Sequence, residues 1–508
     1  MPWLAGVVAF GLYVLTRSTH VGGDDTVFAL VVDRWVATGE IGPTLLNPHH
    51  PVFLPVVGGI GRLALAVGLA PSALGVGATM SSLFGALTVV GLVIGLRRAG
   101  VGLPMAVAAA AVLTVSGGWW KYATRMEVYT LAGLAVMVWL IVMGRPLLGR
   151  CAASAVTAAT WLAHAGLGLL VAPVAWRLRH RWHALVATLV WGVVFPLIVL
   201  VGVAVWALDI RSLAELRVWM SGHDLTTWVT WPDPLAAVRS VSSMFRWSIT
   251  DVPEAYPRSL LVTCSTLGWI ATVALLAVAG LGAVRALRGP CWSLGKASIA
   301  AVLAMLPLWL IWEPGNDEQV VALIPAVVVL AVWGAPTLRD GVGERVLAFA
   351  ALALLIANGL VGALIQTQPE LSRVRVVADR IARTVPADGL LLTVGSDPEL
   401  RLAVPYLTGL PSSDLTLICE RARRERLPPD ACVGQWIGRA LGHAQVWMYE
   451  NPLDPHNLRY VAELGVDADT WRGAVAALTI EEQRQVDAPG SDGDASLTLW
   501  RVGVREPR

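Results

Sequence analysis

Residues 184–207 of this chain contain no charged side chain, and that run is one of about eleven apolar stretches before residue 366. A spanning helix needs about 20 largely apolar residues, because the hydrocarbon core is about 30 Å thick and each helical residue rises about 1.5 Å. Repeated runs of this length make the bilayer the solvent. They also make the helix the only fold, since its backbone polar groups are satisfied within the segment. Composition agrees: 56% hydrophobic and 15% charged residues, with a mean hydropathy of +0.64, exclude a soluble globular protein of 508 residues. The expected spans are 3–19, 77–96, 102–118, 128–144, 151–163, 164–176, 184–207, 259–284, 297–312, 319–335 and 345–366. The first lacks the basic leader and small-residue exit of a cleaved signal peptide, so it reads as an uncleaved span.

Orientation follows from where the basic residues fall, since cytoplasmic loops retain positive charge. With the N-terminus inside, the inner loops hold Arg97, Arg98, Arg145, Arg150, Arg177, Arg179, Arg181, Arg285, Arg288, Lys296, Arg339 and Arg345, with Asp340 and Glu344 as their only acids. The opposite loops hold Asp24, Asp25, Asp33, Glu40, Glu127, Glu313, Asp317 and Glu318. Counting the apolar stretch 51–70 as a span would put Arg97 and Arg98 outside, so it reads as a juxtamembrane or re-entrant helix; the alternative is twelve spans. Arginine supplies all the basic residues except Lys121 and Lys296, which points to a high-GC, bacterial genome.

Eleven spans place residues 367–508 outside, where charges are dense and apolar runs short. This segment reads as a soluble α/β domain. Helices are expected over 371–384, 398–407 and 457–464, and strands over 389–395, 415–419, 444–449 and 496–502. The alternation implies a largely parallel sheet. Cys419 and Cys432 fall in it, and export permits a disulfide between them as readily as two buried thiols. The five cysteines lack the spacing of a zinc ribbon or a disulfide scaffold.

Ionisable residues near a bilayer are costly to keep, and four clusters share the outer face. Gly22-Gly23-Asp24-Asp25 offers a general base or a metal ligand, or merely a cap for the following helix. Asn47-Pro48-His49-His50-Pro51 holds two imidazoles in a stiff segment suited to binding a phosphate, relaying a proton or ligating a metal, the last weakly supported without a nearby third ligand. In the segment 119–129, Trp119 and Trp120 fit an interfacial aromatic belt, which does not explain Lys121, Arg125 and Glu127 beside Tyr129. The fourth is the acidic turn 312–318, with Glu313 and Asn316, and His164 sits at the same level.

In this order and on one face, the clusters resemble the GT-C superfamily of polyprenyl-phosphate-sugar-dependent glycosyltransferases, most closely its protein O-mannosyltransferase-like bacterial branch. Asp24 and Asp25 match the acidic motif after the first span, and His49, His50 and Pro51 the His-Pro segment closing the first outer loop. Trp119, Trp120, Glu127, Val128 and Tyr129 match the aromatic Glu-Val-Tyr segment, and Glu313, Pro314 and Asn316 the late turn. The match covers about residues 1–335, and it departs from the pattern in its Asp-Asp doublet, which leaves open which carboxylate is the base.

The resemblance implies a polytopic α-helical membrane enzyme in a bacterial inner membrane. Its catalytic domain is 1–366, with outer loops 20–50 and 208–258, and its exported domain is 367–508. Asp24 or Asp25 is the implied base. Lys121, Arg125, His49 and His50 would meet the donor phosphate; Trp119, Trp120, Glu127, Tyr129, His164, Glu313 and Asn316 would line the substrate site. The implied partners are a polyprenyl-phosphate-linked sugar, a protein, lipid or polysaccharide acceptor, and membrane lipid; nucleic acid is not among them. No cofactor or metal is expected. A transporter or flippase of lipid-linked sugars is the rival reading, but it calls for inverted repeats that the sequence does not display.

Overall fold

The structure is a computed structural model that describes all residues except 146–148, 222–232, 248–256, 290–291, 312–317, 340, 396, 398, 426, 444, 488–495 and 505–508. The chain divides into two compact units. One takes Met1–Ser18 and the described residues of 28–365; the other takes Thr19–Val27 and the described residues from 366 onward. The second unit therefore includes the loop that carries the Asp-Asp doublet, which the sequence reading had placed with the spans.

The first unit is helical. It opens with α1 (Pro2–Leu15), α3 (Phe53–Ala66), α4 (Ala73–Arg98), α5 (Leu103–Val115), α6 (Gly117–Ala123), α7 (Tyr129–Met143) and α8 (Arg150–Ala163), while α2 (Gly23–Thr38) begins in the second unit and continues into the first. Among the described residues four helices are long and apolar enough to cross a membrane unaided: Ala73–Arg98, Trp182–Leu208, Arg258–Arg288 and Val342–Gln366. These make the chain a multi-pass membrane protein. The helix over 51–70 has 14 residues and buries one face through Phe53, Leu54, Val57, Gly58 and Gly61. At 1.5 Å per residue it is about 21 Å long, short of the hydrocarbon thickness.

The expected span 102–118 is not one helix. It breaks at Ser116 and bends by 65° into α6. Gly117 and Gly118 donate their N–H groups to the carbonyls of Phe245 and Met244, at 3.0 and 3.2 Å. A Cβ on Gly117 would lie 2.4 Å from the Trp247 nitrogen, so only glycine lets these backbones meet. Buried Asn358 closes the gap: its Nδ2 donates to the carbonyls of Val115 (2.7 Å) and Phe245 (2.9 Å), and its Oδ1 accepts from the Trp247 N–H (2.9 Å). Backbone freed by the break is thereby satisfied by protein, as an apolar surrounding demands.

The second unit holds a five-stranded sheet in the order β2-β1-β3-β5-β4, built from β1 (Leu390–Thr393), β2 (Ser412–Asp414), β3 (Val446–Met448), β4 (Leu478–Asp487) and β5 (Ser496–Val504). The first three pair in parallel, and β5 and β4 add antiparallel. The expected parallel core is present with an antiparallel hairpin beside it. One expected element is corrected: residues 415–419 are not a strand but the start of the helix Leu415–Arg424. Asp414 caps it, accepting from the N–H groups of Thr416 (2.7 Å) and Leu417 (3.2 Å), and Leu415, Ile418, Cys419 and Ala422 bury one helical face. A disulfide joins Cys419 to Cys432 on the neighbouring helix Pro429–Leu441.

Candidate functional site

Three of the four sequence clusters meet within the first unit, around His50. Its imidazole centroid lies 4.9 Å from that of His164, 6.3 Å from His49, 6.5 Å from the Tyr129 ring and 6.3 Å from Phe28. The backbone fixes this meeting. Asn47 Oδ1 accepts from the His49 N–H (2.8 Å), turning the loop, and the His49 carbonyl accepts from the Ala165 N–H (3.0 Å). His164 ends α8, and its Nδ1 accepts from the Gly166 N–H at 3.1 Å. A neutral ring so held carries its proton on Nε2.

Tyr129 connects these imidazoles to the other two clusters. Its ring centroid is 5.0 Å from that of Tyr122, and Lys121 Nζ lies 4.9 Å over the Tyr122 ring. Its hydroxyl donates to Glu318 Oε2 at 2.7 Å. Glu318 ends the acidic turn; Glu313 and Asn316 of the same turn lie outside the described residues. The bent α5–α6 junction delivers Lys121 to this place, and α4 holds the segment that follows. Ser81 Oγ donates to the Glu127 carbonyl (2.9 Å) and accepts from its N–H (3.1 Å), while Ser82 Oγ donates to the Ala123 carbonyl (2.7 Å). Arg125 and buried Glu127 sit in this anchored turn.

Burial first, then His164 and His49, hold the His50 imidazole well below its ordinary range. The ring is therefore neutral at pH 7, and it can offer a phosphate a hydrogen bond rather than a charge. Its Nδ1 is buried with no hydrogen-bond partner among the described residues. Trp119 and Trp120 are buried packing elements: Trp119 lies against Gly133, where a Cβ would come within 2.3 Å of the ring, and Trp120 Nε1 donates to Thr16 Oγ1 at 2.7 Å.

An apolar cavity of about 500 Å³ adjoins the histidine loop, lined by Leu46, Pro51, Pro55, Leu162, Phe195 and Val199 among others. Sequence reasoning did not find this cavity, because its walls come from three separate apolar stretches that look alike in sequence. Asn358 was also missed, although one amide inside the apolar run 345–366 is a readable signal.

The doublet belongs to the second unit. Asp25 is buried and accepts from the Gly22 N–H at 2.9 Å, whereas Asp24 is exposed. That unit also has its own polar centre at the carboxyl ends of the parallel strands, where α/β sheets commonly place ligands. Here Arg401 fills it. Its Nη1 donates to Thr416 Oγ1 (2.9 Å), the Gly395 carbonyl (3.2 Å) and the Tyr460 hydroxyl, and its Nε pairs with Asp414 Oδ2 at 3.1 Å. Glu450 accepts from the Gly395 N–H at 2.8 Å. Its carboxyl is pushed up to about 7, by burial above all.

The chain thus combines a broken-helix membrane bundle, with a polar cluster near an apolar cavity, and a small mixed sheet. Two solved structures share it over nearly their whole length. ArnT from Cupriavidus metallidurans in the apo state superposes with a TM-score of 0.61 at 14% identity, covering 98% of this chain and 97% of that one. The same protein bound to undecaprenyl phosphate gives 0.59 at 14%, with the same coverage. No family model and no curated protein sequence matches the chain. The resemblance drawn from the sequence thus holds at the level of fold.

Proposed function

We propose that this protein is an integral membrane glycosyltransferase. It would move a sugar from a polyprenyl-phosphate donor to an acceptor hydroxyl on the outer face of the membrane. The observation that carries the reading is the cavity of about 500 Å³ running up to the His49–His50 loop. Such a donor is an apolar chain ending in an anion. The site it needs joins apolar walls to hydrogen-bond donors and cations, which His50, His164, Tyr129 and Lys121 provide. ArnT, with the same fold, has been solved bound to undecaprenyl phosphate, which supports this donor class.

In this reading the acceptor hydroxyl gives its proton to a carboxylate, for which Asp24 and Asp25 are the candidates. The oxygen then attacks the anomeric carbon while the carbon–oxygen bond to phosphate breaks. One displacement inverts the configuration. The lipid phosphate leaves with one more negative charge, which Lys121, Arg125, His49 and His50 would stabilise as it develops. Tyr129, Glu127, His164 and the turn of Glu313 and Asn316 would position sugar and acceptor. A monophosphate leaving group calls for less charge neutralisation than a diphosphate, so the reaction is expected to run without a metal. In this reading the N-terminus lies inside and residues 367–508 outside, which the basic loops and the Cys419–Cys432 disulfide, a bond suited to an oxidising location, support.

The test compares envelope glycans and glycoproteins by mass spectrometry, with and without the gene and with the D24N/D25N double variant, in the presence of a chelator. Loss of a product in the well-folded variant, by about 10²-fold or more, is the expected result for removal of a general base. An unchanged product would sink the enzyme reading and favour a transporter or scaffold.

A further inference from the structure

We propose that Arg17 is a third cation for the donor phosphate, beside Lys121 and Arg125; this rests on the donor class proposed above and names a residue that no sequence cluster contained. Arg17 follows the end of α1, where Thr16 closes the last turn. Its two chain neighbours are both fastened to the segment that bears the other cations. Thr16 Oγ1 accepts from Trp120 Nε1 at 2.7 Å, one residue before Lys121. The Ser18 N–H donates to the Thr124 carbonyl at 3.3 Å, one residue before Arg125. Two hydrogen bonds between distant parts of the sequence thus tie the neighbours of Arg17 to the segment that carries Lys121 and Arg125.

Among the described residues no carboxylate offsets the charge of Arg17. Its Nη2 donates to Thr79 Oγ1 at 2.6 Å, but its Nε is buried without a hydrogen-bond partner, and no carboxylate pairs with it among the described residues. A half-buried guanidinium without a counter-charge is costly to keep, and the cost falls when an anion arrives. Guanidinium also suits the donor's phosphodiester and the monoester it leaves as, since two of its N–H groups can meet two non-bridging phosphate oxygens.

The experiment titrates undecaprenyl phosphate, undecaprenol and phosphatidylglycerol into full-length protein in phosphatidylcholine nanodiscs, with native mass spectrometry as the readout. The wild type is expected to bind the polyprenyl phosphate more tightly than the alcohol. R17Q should weaken binding of the polyprenyl phosphate roughly tenfold, the loss of a charge-assisted bond. It should leave undecaprenol and phosphatidylglycerol unchanged. T79V keeps the cation but removes its protein partner, and should stay within about twofold of wild type, since exposed hydrogen bonds contribute little. If R17Q is not monodisperse, R17M, which keeps the aliphatic stem, takes its place. Wild-type affinity in the Arg17 variant overturns the assignment, as does an equal loss in T79V or an equal loss of phosphatidylglycerol. A wild type that does not distinguish undecaprenyl phosphate from undecaprenol overturns the donor class itself.

Discussion

The two units each hold a buried polar centre, and the centres are built on opposite rules. In the sheet unit, charge is paired: Arg401 and Asp414 are 8% and 7% exposed and pair at 3.1 Å, and Arg401 Nη1 donates to Thr416, Gly395 and Tyr460. In the helical unit, the centre is a set of rings about 5–6.5 Å apart around a neutral His50, in a loop whose Leu46 and Pro51 line an apolar cavity. A buried charge pair of this kind fixes a fold. The ring cluster instead centres on His50, whose Nδ1 has no hydrogen-bond partner among the described residues. Position in the fold is by itself a poor guide, because the carboxyl edge of the sheet is where a ligand would be expected and the Arg401 side chain occupies it.

The strongest way to break this contrast is R401M. It leaves the Asp414 carboxylate buried without its partner, so the sheet unit should lose about 3–5 kcal/mol of stability. Segment-resolved hydrogen exchange over β1 and β3 measures it, and a change below 1 kcal/mol would mean the network is not structural. H50N should do the reverse. Transfer activity should fall roughly tenfold, as for loss of one positioned donor, while hydrogen exchange of α3 and α7 stays as in wild type. A loss of protection there as large as that of R401M would make His50 a packing residue and erase the difference between the two centres.

The smallest effect concerns Glu450. Its carboxyl titrates near 7 in the folded protein, through burial first, opposed by the Gly395 N–H, with Asp397 and Asp414 raising it and Arg401 lowering it. Because the folded value lies above the ordinary glutamate range, the folded state binds the proton more tightly than the unfolded chain does. Stability is therefore greatest at low pH and declines as pH rises through the window from about 4.5 to 7, then levels off. The opening free energy of β1 and β3, corrected for intrinsic exchange, should fall between pH 5 and pH 8 by about 1 kcal/mol or more, and E450Q should flatten the slope. An equal slope in E450Q would assign the pH dependence to another group.

Much of this protein was legible in the sequence, for reasons that differ by region. Apolar runs identify spans because lipid imposes one requirement on every residue of a segment, so the helix Trp182–Leu208 could be read residue by residue. The helix Leu415–Arg424 was misread as a strand because five apolar and β-branched residues fit either period. The deciding contact is the Asp414 cap at its start. The break at Ser116 was likewise invisible, since Gly117 and Gly118 permit a bend but Asn358, some 240 positions away, is what makes it tolerable.

The sequence by itself determined that the chain lives in a membrane, which loops carry charge, and that His49, His50, Lys121, Tyr129 and His164 are polar residues in costly positions. Solvation is a property of each segment, and composition records it. Only the tertiary structure decided which of those residues meet, that His50 is held neutral, that Leu46 and Pro51 of its loop line a cavity of about 500 Å³, and that Arg17 is tied to the segment of Lys121 and Arg125. Those facts depend on distances between residues far apart in the chain, and no local pattern in a sequence encodes a distance.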